Sequence, residues 1–76
     1  YPPISKRLGE QGKVVVRVLI GVDGIAQRAE VRQSSGFDRL DQAALSTVQR
    51  WRYVPGKRGG VPEAMWFNVP INFVLE

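Results

Sequence analysis

From Met65 to Leu75, apolar side chains take every odd position: Met65, Phe67, Val69, Ile71, Phe73 and Leu75. The even positions, Trp66, Asn68, Pro70, Asn72 and Val74, are mixed. A period of two gathers the odd set on one face of a β-strand, so this segment must lie against a core by one side only. Pro70 narrows the choice. Proline has no N–H to give to a ladder, so inside a strand it belongs at a sheet edge with its nitrogen pointing outward. The last strand is therefore expected along one margin of a sheet.

The remaining elements follow from the same kind of pattern. Pro2 and Pro3 suit the start of a short helix, Ile4 and Leu8 are spaced i, i+4, and Gly9 and Gly12 end it. Lys13 to Ile20 is a strand whose one face, Val14, Val16, Val18 and Ile20, is wholly β-branched. Asp23-Gly24 is a hairpin turn signal, and Ile25 to Gln33 returns as a more polar strand. Ser34-Ser35-Gly36 breaks that strand. A helix is expected from about Phe37 or Asp38 to about Arg52, with Asp38 as N-cap, Asp41 in the first turn, and Leu40, Ala44, Val48 and Trp51 on one stripe. Pro55-Gly56 ends it, and Lys57 to Pro62 reads as a loop.

The order α-β-β-α-β predicts an α+β fold: a three-stranded antiparallel sheet, strand order 2-1-3, with two helices packed on one face. The most apolar strand is then central and the last strand lies parallel to the second. With 76 residues the chain is one domain, residues 1–76, with a thin core and no cysteine to staple it. Its start at Tyr1-Pro2-Pro3 leads us to expect a domain cut from a longer protein. No apolar run reaches the roughly 20 residues that span a bilayer as a helix, and nothing reads as a signal peptide.

Chemistry has little to build on. Without histidine or cysteine, no Ser-His-Asp or Cys-His arrangement can form, and the commonest metal ligands are missing. Asp38 and Asp41 are explained by a helix N-terminus. Gly12-Lys13 and Gly56-Lys57 lack the rest of a phosphate-binding loop, and Gly21 and Gly24 make no dinucleotide fingerprint. The expectation is a binding module with no enzymatic activity, no cofactor and no metal site.

Eleven basic against seven acidic residues give a net charge of +4, which draws a domain towards anionic partners. Arg50, Arg52, Lys57 and Arg58 cluster around the end of the second helix, where cations also suit the helix dipole. Trp51 and Tyr53 are expected in the core rather than as stacking platforms for bases. A small basic nucleic-acid or anionic-surface binder is thus the alternative reading, and nucleic acid is not the expected partner.

Residues of one parity face the same way in an antiparallel ladder, so Trp66, Asn68, Asn72 and Val74 should present their backbone groups outward, with a gap at Pro70. The proline either only discourages aggregation or leaves the half from Ala64 to Asn68 free to accept an extended peptide. From the residues alone these two readings stand level.

The stretch SSGFDRLDQAALSTVQRWRYVPGKRGG, followed by VPINFVLE, resembles the TonB C-terminal domain family, as does the opening YPPISKRLGEQGKVVVRV. The most specific pieces are Ser34-Ser35-Gly36, Leu40-Asp41 with Ala44, Trp51-Arg52-Tyr53 with Pro55, and Val69-Pro70-Ile71 with Phe73. The resemblance implies a periplasmic domain of a protein anchored in the inner membrane, joined through upstream segments to the ExbB–ExbD motor. It implies an energy-coupling adaptor that binds the TonB box of outer-membrane transporters by strand addition, moving the plug for uptake of substrates such as iron–siderophores. The family's recognition strand falls on Ala64 to Asn72, giving Ala64, Met65, Trp66, Phe67, Asn68 and Asn72 as candidates. Its basic contact positions fall on Lys6, Arg7, Arg52, Lys57 and Arg58. The resemblance also implies that short forms can exchange strands into a homodimer.

Overall fold

The computed structural model describes residues 1–75. In chain order its elements are α1 (Pro3–Arg7), β1 (Gly12–Ile20), β2 (Ala26–Gln33), α2 (Asp38–Arg50), β3 (Gly56–Arg58), β4 (Val61–Glu63) and β5 (Met65–Phe73). The β-branched face of β1 decides the architecture. Val14, Val16 and Val18 are wholly buried and Ile20 nearly so, which a strand achieves only with neighbours on both sides and a layer above. Accordingly β1 is central, in the order β2-β1-β5, and both neighbours run antiparallel to it. The order 2-1-3 expected from the sequence is the order found.

The two ladders differ. Between β1 and β5 the register runs without a shift from Ile20↔Met65 to Gly12↔Phe73. Between β1 and β2 it shifts twice, between Val15 and Val16 and between Leu19 and Ile20. Along one face Val14, Val16 and Val18 stand beside Ile71, Val69 and Phe67 of β5. Onto that face α2 lays Leu40, Ala44 and Val48, all fully buried. Each large apolar side chain enclosed there contributes about 1.5–3 kcal/mol. The helix crosses β1 and β2 and only grazes β5, so the inner side of β5 is half-covered.

The entry to α2 departs from the expected capping. Phe37 holds the N-cap position without a side-chain hydrogen bond, and Asp38 is the first helical residue. Asp41 instead turns back to the preceding loop. It accepts hydrogen bonds from Ser34 Oγ, from the Ser35 N–H at 3.0 Å and from Ser35 Oγ at 2.8 Å. Burial pushes the Asp41 carboxyl up, but these three donors outweigh it and hold the pKa below 3.8. The Ser-Ser-Gly break is thus locked onto the helix rather than left loose.

Three further expectations are corrected, and α1 turns an unforeseen residue inward. Trp51 is not core: α2 ends at Arg50, and Trp51 caps it in an extended conformation, 46% exposed. Phe67 points to the inner face as its parity requires, yet it is 39% exposed because α2 stops short of it. The Ile4 and Leu8 stripe faces water, 52% and 64% exposed, while Ser5 turns inward and buries an Oγ with no hydrogen-bond partner among the described residues. Lys57 to Pro62 is not a loop. It is the β3–β4 hairpin, turned by Gly59 and Gly60 at φ +57° and +81°, values that glycine adopts without strain.

A candidate partner-binding edge

Among the described residues, strand β5 has β1 on one side and no strand on the other. The ladder continues through the pair Val15↔Pro70 without a shift. A proline nitrogen aimed into the ladder would leave a β1 carbonyl unmatched, so Pro70 faces outward, and Trp66, Asn68 and Asn72 share its direction. Their free backbone groups form an exposed rim. Odd-numbered neighbours bond inward to β1. The resulting edge is a donor–acceptor row interrupted once, at Pro70.

The two faces beside this rim are unlike. On the inner side Met65, Val69 and Ile71 are half-buried and Phe67 is exposed, an apolar shelf that α2 covers only in part. The segment after α2 partly roofs its near end: a Cβ on Gly56 would meet Met65 Sδ at 2.5 Å and the Phe67 ring at 3.3 Å. Glycine stands there for space. On the outer side, away from α2, the Arg17 guanidinium lies over the Trp66 ring, 4.1 Å from its centre.

The chain reaches β5 by a fixed route. Tyr53 donates its N–H to the Gly24 carbonyl at 2.9 Å, and its hydroxyl donates to the Val48 carbonyl at 2.7 Å. Burial raises the Tyr53 pKa above 10.0, keeping that donor protonated. Arg52 pairs as an isolated bridge with Ile25, on the β2 side of the molecule. The chain then passes across the sheet end to Gly56 and β5.

The candidate residues fall into separate groups. Met65, Trp66, Phe67, Asn68 and Asn72 lie on β5, with exposed Ala64 leading into it. Lys57 and Arg58 lie on β3, where Arg58 is 3.0 Å from Glu63 of β4. Lys6 and Arg7 lie on α1. Lys6 sits 5.5 Å from the centre of the Tyr1 ring, which meets Phe73 edge-on, so Lys6 belongs to the far end of β5. Arg52, beside Ile25, is remote from the rim. Among the described residues no group of three potential metal-ligating side chains comes together, and no helix is long and apolar enough to cross a membrane.

Two contributors escaped the sequence reading. Arg17 becomes a neighbour of Trp66 only through the exact offset between β1 and β5, which strand parity alone does not supply. Gly56 was legible as a helix stop but not as the roof of Met65. The Gly59-Gly60 pair was the missed signal for the hairpin, since adjacent glycines between short β-prone runs favour such a turn.

Comparison with known proteins matches this arrangement. The family model described as Gram-negative bacterial TonB protein C-terminal matches residues 1–75. The chain belongs to the TonB C-terminal domain family. It is 44% identical over 75 residues to Protein tonB2 of Pseudomonas aeruginosa, covering 99% of this chain and 28% of that protein. It is 34% identical to Protein TonB of Vibrio cholerae, covering 100% of this chain and 31% of that one. The TonB C-terminal domain of Helicobacter pylori, solved by NMR, superposes with a TM-score of 0.76 at 28% identity, over all of this chain and 79% of that one. The TonB domain described here therefore spans under a third of the two curated relatives.

Proposed function

We propose that this TonB domain is the transporter-gripping part of a non-enzymatic energy-coupling adaptor. In this reading it takes the TonB box of an outer-membrane transporter as a fourth strand alongside β5, from Ala64 to Asn68, and passes on motor energy that moves the transporter's plug. The domain works in the periplasm, is tethered to the inner membrane and ExbB–ExbD through the rest of its protein, and serves uptake of substrates such as iron–siderophores. The observation carrying this is the unbroken β1–β5 register through Pro70, which leaves the β5 rim free beside a partly covered apolar shelf. Membership of the TonB family supports the choice of partner.

About four rim hydrogen bonds at roughly 0.5–1.5 kcal/mol each give a reversible grip, so shelf contacts must add to it. The test is an amide NMR titration of the labelled domain with a TonB-box peptide. Shifts should concentrate at Ala64 to Asn68. Shifts confined to α1 or to the β3–β4 hairpin would overturn the reading. The nucleic-acid alternative is disfavoured by the spread of its cations: Arg50 bonds back to the Ser46 carbonyl on α2, Arg52 sits beside Ile25, and of Lys57 and Arg58 on β3 the second is paired with Glu63. Those positions do not form one phosphate-tracking stripe.

A further inference from the structure

Arg17 occupies the outer face of the central strand, with Glu30 opposite it on β2 and Asn68 opposite it on β5. A carboxylate directly across a strand pair is an ordinary partner for arginine. Arg17 does not take it. The ion pairs among the described residues are Arg39 with Glu10 and Arg58 with Glu63. Arg17 instead reaches diagonally towards the sheet margin and sits over the Trp66 ring, whose residue pairs with Leu19. A cation–π contact uses none of the guanidinium's five N–H donors as a hydrogen bond to a carboxylate. Among the described residues the arginine side chains that donate hydrogen bonds are Arg39 and Arg50, while Arg58 forms its ion pair with Glu63. Strand β5 itself contributes no carboxylate: its sequence is MWFNVPINF.

A strand added to β5 would lie about 4.8 Å beyond it, with alternate side chains on the same outer face as Trp66 and Asn68. Arg17 reaches over Trp66 of β5, the strand beside that position, with no hydrogen-bond partner or ion pair for its guanidinium among the described residues. We propose that Arg17, positioned by Trp66, reads an acidic side chain on the outward face of the bound strand. It would thereby select both the register and the kind of peptide accepted. This rests on the strand-addition reading. The apolar shelf would take the alternate residues of the same peptide, so the preferred segment carries a carboxylate on one face and apolar groups on the other.

The experiment uses a heptapeptide spanning a transporter TonB box, with each position replaced in turn by Glu and by its uncharged twin Gln. Affinities are measured for the wild-type domain and for Arg17→Gln, whose exposed site leaves the core untouched, with amide spectra checking the fold. At one outward-facing position the Glu peptide should bind roughly three- to fivefold tighter than its Gln twin, as expected for a partly exposed charge pair. That preference should shrink as salt rises and vanish in Arg17→Gln, while the Gln twin binds both proteins equally. Equal binding of all twins to the wild type, with shifts still on β5, would overturn the role of Arg17 and leave strand addition standing. Equal weakening of both twins by Arg17→Gln would likewise overturn it, making Arg17 a mere prop for Trp66. A parent peptide that leaves the β5 amides unmoved would sink strand addition itself, and this inference with it.

Discussion

The Tyr53 N–H donates to the Gly24 carbonyl at 2.9 Å, and the Tyr53 carbonyl fills the place where a Cβ on Gly24 would sit. Gly24 also holds φ at +77°, in the left-handed region. One glycine thus serves a hairpin turn and a close backbone approach together. The contact fixes the segment after α2 against the β1–β2 turn, and so sets where the chain begins its crossing to β5.

Gly24 variants separate its two duties. Asn tolerates a positive φ better than Ala but brings a Cβ all the same. Both Gly24→Ala and Gly24→Asn should therefore destabilise, by about 2–4 kcal/mol for Ala when strain and displacement combine. Urea denaturation of the two variants reads this directly. Full tolerance of Asn would show that the turn conformation alone matters.

Asp41 makes stability sensitive to acid. Its folded pKa is depressed, so its contribution is complete above the unfolded value of about 3.9 and is lost as pH falls through the folded pKa. Asp41→Asn keeps the shape but cannot accept all three donors as a carboxylate does. It should cost about 1–3 kcal/mol at neutral pH and flatten the stability profile below about pH 4. Urea midpoints measured from pH 2 to 6 on both proteins check the slope.

Truncations should rank by cover rather than by size. Leu40→Ala, fully enclosed between α2 and β1, should cost about 2–5 kcal/mol. Phe67→Ala, on the open shelf, should cost only about 1–2 kcal/mol while weakening peptide binding. If Phe67→Ala proved the more damaging in thermal unfolding, the shelf would have to be enclosed in solution.

Asn68→Pro addresses the rim. Asn68 shares the outward direction of Pro70, so losing its N–H should spare the fold and weaken binding of a TonB-box peptide several-fold. Calorimetric titration beside a thermal melt separates the two effects. Unfolding of the variant would show that Asn68 bonds inward to β1.

The sheet was legible because β-branched residues on alternate positions leave one arrangement that buries them, and Pro70 could sit only at a margin. The length of α2 was less so. Trp51 continues the apolar stripe, yet Pro55-Gly56 and the tie from Tyr53 to Gly24 pull the chain out of the helix before it. Phe67 was placed on the right face but given too much cover, since parity says which side a residue faces and not how far a helix reaches. Ser5 illustrates the same limit at α1, where the spacing of Ile4 and Leu8 marked a short helix but not which side of it the fold buries.

The register between β1 and β5 has a mechanical meaning. A pull directed along the axis of β5 loads the whole row from Met65 to Phe73 in shear, so the bonds bear the tension side by side. A pull directed across the axis would open the same row from one end, bond after bond. Strand β1, gripped on both flanks, then acts as the anchor beam that hands the load to β2 and α2.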